Sequence, residues 1–334
     1  MSASKRRLFV VFSVLLLAIL GITYFLHRNR NSSRRELTIA QYGDVFLYAP
    51  LYVAKDAGFF SSRGLTVSIV STGGDEKTWA AVTSGSAAFG VADPTFVAIS
   101  DARGQPGRVI AAIVNGVPFW GITFKRDLGP IVHPSDLDHY TVATFPSPST
   151  AYTLQREMFV KAGLPPKIRE GAIGTLLPMI RNGQADIALE LEPNVSGAVR
   201  DGAHVVYAMS DVYGDFAMTG LTATPDYLAA HQDVAQDVVC SLQMADDYIR
   251  FHREESLDIL SKRFPEINRD VAAAALERMV NGGTVPQSVV VSSTAWDNAI
   301  QLRVASGDLK APNAEDSFLD NSFSKWADAN CHSK

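Results

Sequence analysis

The stretch that decides the fold runs from Tyr42 to Phe60 and reads YGDVFLYAPLYVAKDAGFF. It follows a short strand pattern, ELTIAQ at residues 36–41, and places aromatic residues where that strand would give way to a loop. Pro50 and Gly58 then predict the first turn and the end of a helix. Rings at a strand end suit either contact with a ligand or packing of the helix against a sheet.

Outward from this stretch, strand and helix patterns alternate along the chain. The next strands are predicted at LTVSIVST (65–72), AAFGVA (87–92) and RVIAAIV (108–114), with helices between them. A second alternation occupies about residues 133–210, and residues from 224 onward are almost entirely helical in pattern. This arrangement indicates the α/β class, with parallel sheets covered by helices on both faces.

The composition is that of a folded protein with an uneven charge. The chain has 334 residues, 47% of them hydrophobic and 19% charged, which predicts one large or two medium domains. Residues 1–35 contain seven lysines and arginines and no acidic residue, so the remainder carries 23 basic against 35 acidic residues. Such an acidic remainder argues against nucleic acid as a partner.

The N-terminal segment predicts attachment to a membrane. Residues 8–26, LFVVFSVLLLAILGITYFL, carry no charge, and as a helix they would span about 28 Å. Basic residues before the segment fit a signal peptide, but no small residues for cleavage follow Thr23. We therefore expect an uncleaved anchor with its N-terminus inside the cell, followed by a polar linker at residues 28–36.

The two cysteines leave their redox state open. Cys240 and Cys331 have neither CxxC nor zinc-ligand spacing. They form a disulfide if the domain lies outside the cytoplasm and their backbones meet, and otherwise they are two unpaired thiols. Neither a nucleotide-binding loop nor a catalytic-serine motif occurs, and the histidines lack metal-ligand spacing. We accordingly predict neither a cofactor, nor a metal site, nor a catalytic residue.

Several phrases, in the same order, resemble one family of binding proteins. They are YAPLYVAKDAGFF…LTVSIVSTGG (48–74), AAVTSGSAAFGVAD (80–93), PSDLDHYTVATFPSPSTAYTLQREMFVKAGL (134–164), LLPMIRNGQADIALELEPNVSGAVRDG (176–202) and the helical run from residue 224. Over about residues 37–330 the chain resembles periplasmic solute-binding proteins of ABC importers. The similar branch handles nitrate, sulfonates, taurine and thiamine pyrimidine precursors.

The resemblance implies a type II periplasmic-binding-protein fold: two α/β lobes with a hinge and C-terminal helices. The N-terminal transmembrane helix expected from residues 8–26 would precede this fold. Residues 1–36 would form the anchor or signal and linker, residues 37–124 with 219–334 lobe 1, and residues 125–218 lobe 2. The two crossings between lobes would lie near residues 116–124 and 215–225. The ligand would bind between the lobes, at the carboxyl ends of the strands.

The function implied is that of an extracytoplasmic solute-binding protein, not an enzyme. It would capture a small organic ligand, nitrogen-bearing or sulfonate-like, and deliver it to ABC permease and ATPase subunits. Its place would be the periplasmic or extracellular face, anchored in the inner or cytoplasmic membrane through residues 8–26. Two departures from the family are the retained protein anchor and the acidic pair in ALELEP, residues 188–193.

Residues at predicted strand ends and helix starts are the candidate ligand contacts. They are Tyr42, Tyr48, Gly73, Gly74, Thr95, Trp120, Ser147, Ser149, Thr150, Glu190 and Glu192. The rings offer flat faces, and the glycines, serines and threonines offer N–H and hydroxyl groups at helix starts. Each also has a structural alternative: the rings as packing or a hinge plug, the glycine pair as an ordinary turn, and the hydroxyls as helix caps.

Glu190 and Glu192 are the basis for predicting a nitrogen-bearing ligand, and they also allow an alternative interpretation. Strand alternation places both side chains on one face, where they would suit an amine or a pyrimidine N–H. The alternative is a salt bridge with a base from lobe 1. Two further functions stay open on the same scaffold: an enzyme that uses Glu190 or Glu192 as acid–base group, and a membrane-tethered ligand sensor.

Overall fold

The computed structural model describes residues 35–101, 103–147, 149–310 and 318–333. The predicted anchor at residues 8–26 and most of the linker lie outside these ranges. No helix within the described ranges combines the length and the apolar character that crossing a membrane would require.

The described residues form ten strands and fourteen α-helices. The strands are β1 (Arg35–Gln41), β2 (Leu65–Ser71), β3 (Phe89–Ala92), β4 (Arg108–Asn115), β5 (Trp120–Thr123), β6 (Val142–Thr144), β7 (Ile168–Glu170), β8 (Ile187–Glu190), β9 (His204–Ala208) and β10 (Ala217–Ala223). The first helices are α1 (Ala49–Asp56), α2 (Phe59–Ser62), α3 (Asp75–Thr83), α4 (Phe96–Asp101), α5 (Thr150–Lys161), α6 (Leu176–Arg181), α7 (Asn194–Arg200) and α8 (Met209–Tyr213). The C-terminal helices are α9 (Pro225–Ala230), α10 (Gln232–Phe251), α11 (Arg253–Arg263), α12 (Arg269–Asn281), α13 (Ser293–Ser306) and α14 (Ser322–Asn330).

The strands build two five-stranded mixed sheets, as the α/β prediction requires. The first has the order β2-β1-β3-β10-β4, with β1, β2 and β3 parallel and β10 antiparallel to both neighbours. The second has the order β7-β6-β8-β5-β9, with β6, β7 and β8 parallel and β5 antiparallel to both neighbours. Each sheet therefore receives one strand that runs against its parallel set.

The chain crosses between the sheets twice. It leaves the first sheet after Asn115 and enters the second at Trp120, and it returns between Ala208 and Ala217. Strand β5 pairs with β8 and β9, so residues 120–123 belong to the second sheet, whereas the predicted lobe 1 extended to residue 124. The first crossing therefore lies at residues 116–119, and the predicted boundary falls one strand too late.

The aromatic stretch from Tyr42 to Phe60 mainly fastens helices to the first sheet. Phe46 and Tyr52 are buried and pack on Phe264, each with ring centroids 5.6 Å apart. The stretch does not form one continuous helix, because Gly58 adopts a left-handed φ of 85° that ends α1 before α2 begins. Only its leading ring, Tyr42, follows directly on a strand.

Two hydrophobic cores hold the molecule together. The first lies between one face of the first sheet and helices α1, α2, α10, α11 and α12. The second begins at the other face of that sheet and continues into the second sheet, so that Val109, Ile122, Leu154 and Trp296 share one cluster. The two sheets are consequently joined by packing as well as by the chain crossings.

The two cysteines, whose state the sequence left open, are bonded to each other. Cys240 in α10 and Cys331 after α14 form a disulfide with their Cα atoms 5.4 Å apart. Both residues are buried in the first core. The bond ties the end of the described chain to the longest helix of the first core.

Candidate functional site

A cleft of about 800 Å³ opens between the two sheets. Four of its lining residues each come directly after a parallel strand: Tyr42 after β1, Asp93 after β3, Phe145 after β6 and Leu191 after β8. The carboxyl ends of parallel strands gather at one edge of a sheet, and ligands of open α/β sheets bind outside that edge. The cleft is therefore the site at which the two sheets present their strand ends to each other.

Six of the eleven predicted ligand contacts line this cleft. They are Tyr42, Tyr48, Gly73, Gly74, Ser149 and Thr150. Tyr42 is half-buried, and burial together with Asp75 and Glu76 raises the pKa of its hydroxyl. Tyr48 is buried, and burial raises the pKa of its hydroxyl well above the ordinary value.

Two helix starts face the cleft from opposite sides. Gly74 is the N-cap of α3, and Gly73 before it has a left-handed φ of 80° and donates its N–H to the Tyr42 carbonyl at 2.8 Å. Ser149 is the N-cap of α5, where its hydroxyl accepts from the Tyr152 N–H at 3.2 Å. Helix starts leave backbone N–H groups without partners inside the helix, so each side of the cleft offers donors.

The other five predicted residues are not brought into the lining: Thr95, Trp120, Ser147, Glu190 and Glu192. Trp120 opens β5, pairs with Glu190 and is buried in the second core, while its neighbour Phe119 lines the cleft. Ser147 is exposed, and its N–H donates to Glu170 Oε2 at 2.9 Å. Alternation along β5 and the turn before α5 thus place Phe119 and Ser149, instead of Trp120 and Ser147, in the cleft.

Thr95 lies beneath the cleft, in a polar cluster that we call the cleft floor: Asp93, Thr95, Thr150 and Arg303. Asp93 Oδ1 accepts from the Thr95 N–H at 2.9 Å and from the Thr95 hydroxyl at 2.6 Å, so it caps the turn before α4. Arg303 forms an ion pair with Asp93 Oδ2, and its Nε donates to Thr95 Oγ1 at 3.0 Å. The N–H and the hydroxyl of Thr95 are therefore both hydrogen-bonded within the cleft floor.

The cleft floor also connects the two lobes. Thr150, at the start of α5 beside the second sheet, donates its hydroxyl to Asp93 Oδ2 at 3.1 Å and accepts from an Arg303 nitrogen at 3.2 Å. Arg303 has a second carboxylate partner, Asp308, at 3.2 Å. Its side chain is only 5% exposed. The floor is thus a buried bridge from β3 through α13 to α5.

The two glutamates form a separate cluster at the end of β8. Strand β8 ends at Glu190, so alternation does not continue to Glu192, and Leu191 takes the cleft side. Glu192 pairs with Arg278 at 2.6 Å and accepts from the Ser196 N–H at 3.0 Å and hydroxyl at 2.8 Å. This pairing matches the salt-bridge alternative considered for the pair.

Glu190 is buried with incomplete pairing. Its Oε2 accepts from Asn194 Nδ2 at 3.1 Å and from the Leu191 N–H at 3.3 Å, while Oε1 is buried without a hydrogen-bond partner. Burial raises the pKa of this carboxyl to about 7, although both hydrogen bonds oppose the shift. Glu190 is therefore easily protonated near neutral pH, but it lies outside the cleft lining.

Several lining residues were not among the predicted contacts. Asp75 is the first residue of α3, not its N-cap, and its Oδ1 accepts from the Asp93 N–H at 3.0 Å. Burial, with the nearby Asp93, raises its pKa to about 6. Phe145 follows β6 and could have been found by the strand-end rule. Arg303 comes from a distant C-terminal helix and carries no sequence signal.

No group of three or more His, Cys, Asp or Glu side chains within the described ranges is arranged to hold a metal ion. The cleft instead combines rings, helix starts and four carboxylates.

Comparison with known proteins connects this geometry to a family. The sequence profile described as "NMT1/THI5 like" matches residues 46–256, which is more than half of the chain. The chain belongs to the NMT1/THI5-like family. The family resemblance predicted from the sequence phrases is thereby confirmed.

Individual proteins are similar to this chain over most of its length. The NMT1/THI5-like chain is 21% identical over 295 residues to YtlA of Bacillus subtilis (strain 168), whose name describes a binding protein, covering 82% of this chain and 84% of YtlA. A zinc-bound ligand-binding component of an ABC-type import system from Staphylococcus aureus is 17% identical, with a TM-score of 0.69 over 88% of this chain and 99% of its own.

A second solved structure is the periplasmic aliphatic sulphonate binding protein SsuA from Escherichia coli. It is 20% identical to the NMT1/THI5-like chain and has a TM-score of 0.62 over 73% of this chain and 84% of its own. At such identities the likeness concerns the fold. The two-sheet architecture of the chain is therefore that of periplasmic binding proteins.

Proposed function

We propose that this chain is the extracytoplasmic solute-binding component of an ABC importer. The observation that carries the proposal is the cleft between the sheets, where strand ends and helix starts of both lobes meet around an enclosed space. Aromatic side chains line that space: Tyr42, Tyr48, Trp79, Phe96, Phe119 and Phe145. A volume of about 800 Å³ lies in the range of sites for small organic molecules, so the ligand is organic and not a bare inorganic ion.

The proposed mechanism is ligand-dependent closure of the two lobes. A ligand that contacts Tyr42 and Gly74 on one side and Ser149 and the backbone N–H of Thr150 on the other binds the closed form better than the open form. Its binding energy therefore shifts the population toward closure. The closed shape is the form that permease and ATPase subunits would receive.

Two features support a location outside the cytoplasm. The Cys240–Cys331 disulfide fits an oxidising compartment. The uncharged segment at residues 8–26 has the length for an anchor in the inner or cytoplasmic membrane. Together they favour a protein tethered on the periplasmic or extracellular face.

Binding is favoured over catalysis by the positions of the two glutamates. An enzyme on this scaffold would require Glu190 or Glu192 to reach a substrate in the cleft. Glu192 is held by Arg278 and Ser196, and neither glutamate lines the cleft. We therefore propose that the cleft retains and releases its ligand unchanged.

Native mass spectrometry of the freshly purified full chain tests this function. We expect one small organic molecule per chain, released unchanged when the protein is denatured. Ala80→Trp, at an exposed position of α3 in the cleft wall, should abolish its retention. Ala329→Trp, at an exposed position of α14 outside the cleft, is the matched control. Equal retention by both variants, or a chemically altered ligand, would contradict the proposal.

A further inference from the structure

The two walls of the cleft differ in charge. The first-lobe wall carries Asp75 and Glu76 in the first turn of α3, and Asp93 after β3. The second-lobe wall is formed by the start of α5, whose first turn contains no acidic residue. A ligand that spans the cleft therefore meets carboxylates at one end and an uncharged helix start at the other.

The basic residues of the lining do not offset this asymmetry. Arg303 already pairs with Asp93 and Asp308. Arg103, the other base in the lining, is an exposed residue. Among the described residues, Asp75 and Glu76 form no ion pair, and Asp75 accepts only from the Asp93 N–H. The carboxylates of Asp75 and Glu76 are thus left without an ion-pair partner among the described residues.

The helix starts repeat the same distinction. The positive end of a helix dipole attracts an anion, but two carboxylates of the chain itself already occupy the first turn of α3. A carboxylate or sulfonate at that end would face like charges. The start of α5 offers the Ser149 hydroxyl and backbone N–H groups, whereas the Thr150 hydroxyl already donates to Asp93. An acceptor oxygen is accordingly favoured there and disfavoured at α3.

Aromatic rings line the cleft between the α3 end and the α5 end. Phe119 and Phe145 contact each other with centroids 6.2 Å apart, and Tyr42 stands next to Asp75 on the first-lobe side. Rings pack on an apolar or planar body, and their faces attract a positively charged nitrogen. The rings are thus compatible with a ligand that has a cationic end, and the unpaired carboxylates of Asp75 and Glu76 favour such a ligand.

We infer that the ligand carries a protonated amine at one end, joined through an apolar or ring body to an acceptor oxygen at the other. The amine lies against Asp75 with Tyr42 beside it, and the acceptor lies at the start of α5. This inference rests on the proposed solute-binding function and selects the nitrogen-bearing class over the sulfonate-like class. Asp75 is then a specificity-determining residue, because it rejects anions and binds cations at the same position.

The charge state of Asp75 gives the binding a pH dependence. The groups that influence Asp75 are Asp93, Glu76 and Arg303, and its charge in turn raises the pKa of the Tyr42 and Tyr48 hydroxyls. With its pKa raised to about 6, Asp75 is ionised above that pH and becomes protonated below it. An ammonium ligand should therefore bind more weakly as the pH falls through about 6.

The test is calorimetric titration of the full chain with four probes that share a benzene ring: benzylamine, benzoate, benzamide and the longer 4-(aminomethyl)benzoate. At pH 7.5 we expect 4-(aminomethyl)benzoate to bind most tightly, and benzylamine to bind at least about tenfold more tightly than benzoate, or about 1.4 kcal/mol. Asp75→Asn should remove most of the amine preference, read as the ratio of benzylamine to benzamide affinity within the same variant. Glu36→Gln, the same charge change at an exposed position of β1, is the matched control.

A pH series on the unsubstituted chain keeps the test independent of any folding defect in Asp75→Asn. Benzylamine affinity should fall below pH 6 and benzamide affinity should not. The inference is overturned if benzoate binds as tightly as benzylamine, if Asp75→Asn behaves like Glu36→Gln, or if no amine binds at millimolar concentration. Benzoate binding accompanied by lobe closure in small-angle scattering would overturn only the ligand class and leave the solute-binding function standing.

Discussion

The cleft floor and the end of β8 are both places where buried carboxylates meet a base from the C-terminal helices, yet they are completed differently. In the floor, Asp93 receives Arg303 and the Thr95 and Thr150 hydroxyls. At the end of β8, Glu192 receives Arg278 and Ser196, while one oxygen of the adjacent Glu190 has no partner. Both carboxylate oxygens of Asp93 have hydrogen-bond partners, whereas one carboxylate oxygen at the end of β8 has none.

The difference teaches that burial alone does not decide what a carboxylate does. A buried charge is tolerated when it is paired and hydrogen-bonded, whereas an unpaired one binds a proton more readily. Asp93 is held by its partners as part of a bridge between lobes. Glu190 has its pKa raised to about 7 by burial. The contribution of the floor to stability should therefore depend on its ion pair. The contribution of the β8 end should depend on pH.

The largest effect is expected from breaking the floor with Arg303→Met. The substitution leaves Asp93 buried without its cationic partner, which typically costs about 3–5 kcal/mol of unfolding free energy. Urea unfolding at pH 7.5 measures the loss. The double variant Asp93→Asn/Arg303→Met should recover part of it, because no unpaired charge then remains.

Arg278→Met is the matched comparison at the end of β8. Arg278 is 31% exposed, so water can enter where its side chain stood, and Ser196 still donates to Glu192. We expect a smaller loss than for Arg303→Met. An equal or larger loss at Arg278 would show that the floor is not the more tightly coupled of the two clusters.

The next effect is expected from Glu190→Gln and depends on pH. Because the folded pKa of about 7 lies above the ordinary 4.5, the stabilising contribution of Glu190 is complete below pH 4.5 and is lost as the pH rises through 7. The glutamine cannot ionise and avoids this loss. Relative to the unsubstituted protein, the variant should gain up to about 3 kcal/mol of unfolding free energy between pH 4.5 and pH 8.

Denaturant unfolding at a series of pH values checks this gain, read as the difference between variant and unsubstituted chain so that other titrations cancel. Glu36→Gln, in which an exposed carboxyl is lost, should show little change at any pH. A flat difference for Glu190→Gln would mean that its carboxyl is hydrated in solution and that the contrast between the clusters is smaller than described.

The smallest effect is expected from Thr150→Val in the floor. The substitution removes one hydroxyl that donates to Asp93 and accepts from Arg303, which is worth about 1 kcal/mol. Thr150→Ser keeps the hydroxyl and should retain most of that stability in urea unfolding. If valine and serine behave alike, the hydroxyl does not contribute to the bridge between lobes.

The sequence predicted the α/β class because strands and helices each leave a local pattern of hydrophobic and polar residues. Strand alternation and helix starts predicted most of the strands of both sheets, whereas the expected crossing near residues 116–124 came from the resemblance to binding proteins. Gly58 was expected near the end of a helix, and its φ of 85° does end α1, but the sequence did not predict the short helix α2 directly after it. The sequence also left the two cysteines open, because their proximity depends on how α10 and α14 pack.

The lining of the cleft was predicted best where a residue follows a strand or opens a helix, as Tyr42, Gly74 and Ser149 do. It was predicted less well where a partner arrives from far along the chain. Arg303 is 210 residues from Asp93, and Arg278 is 86 residues from Glu192. Without knowledge of those partners, ligand contact and a salt bridge both stayed open for the two glutamates.

The order of strands in the first sheet has a consequence for biosynthesis. Strand β10 lies between β3 and β4, although the whole of the second sheet, residues 120–208, separates it from them in the chain. Until the ribosome has delivered residues 217–223, β3 and β4 each expose an unpaired edge, and such edges invite aggregation. The nascent chain should therefore need a chaperone most while the second sheet, residues 120–208, is being synthesised and β10 has not yet emerged.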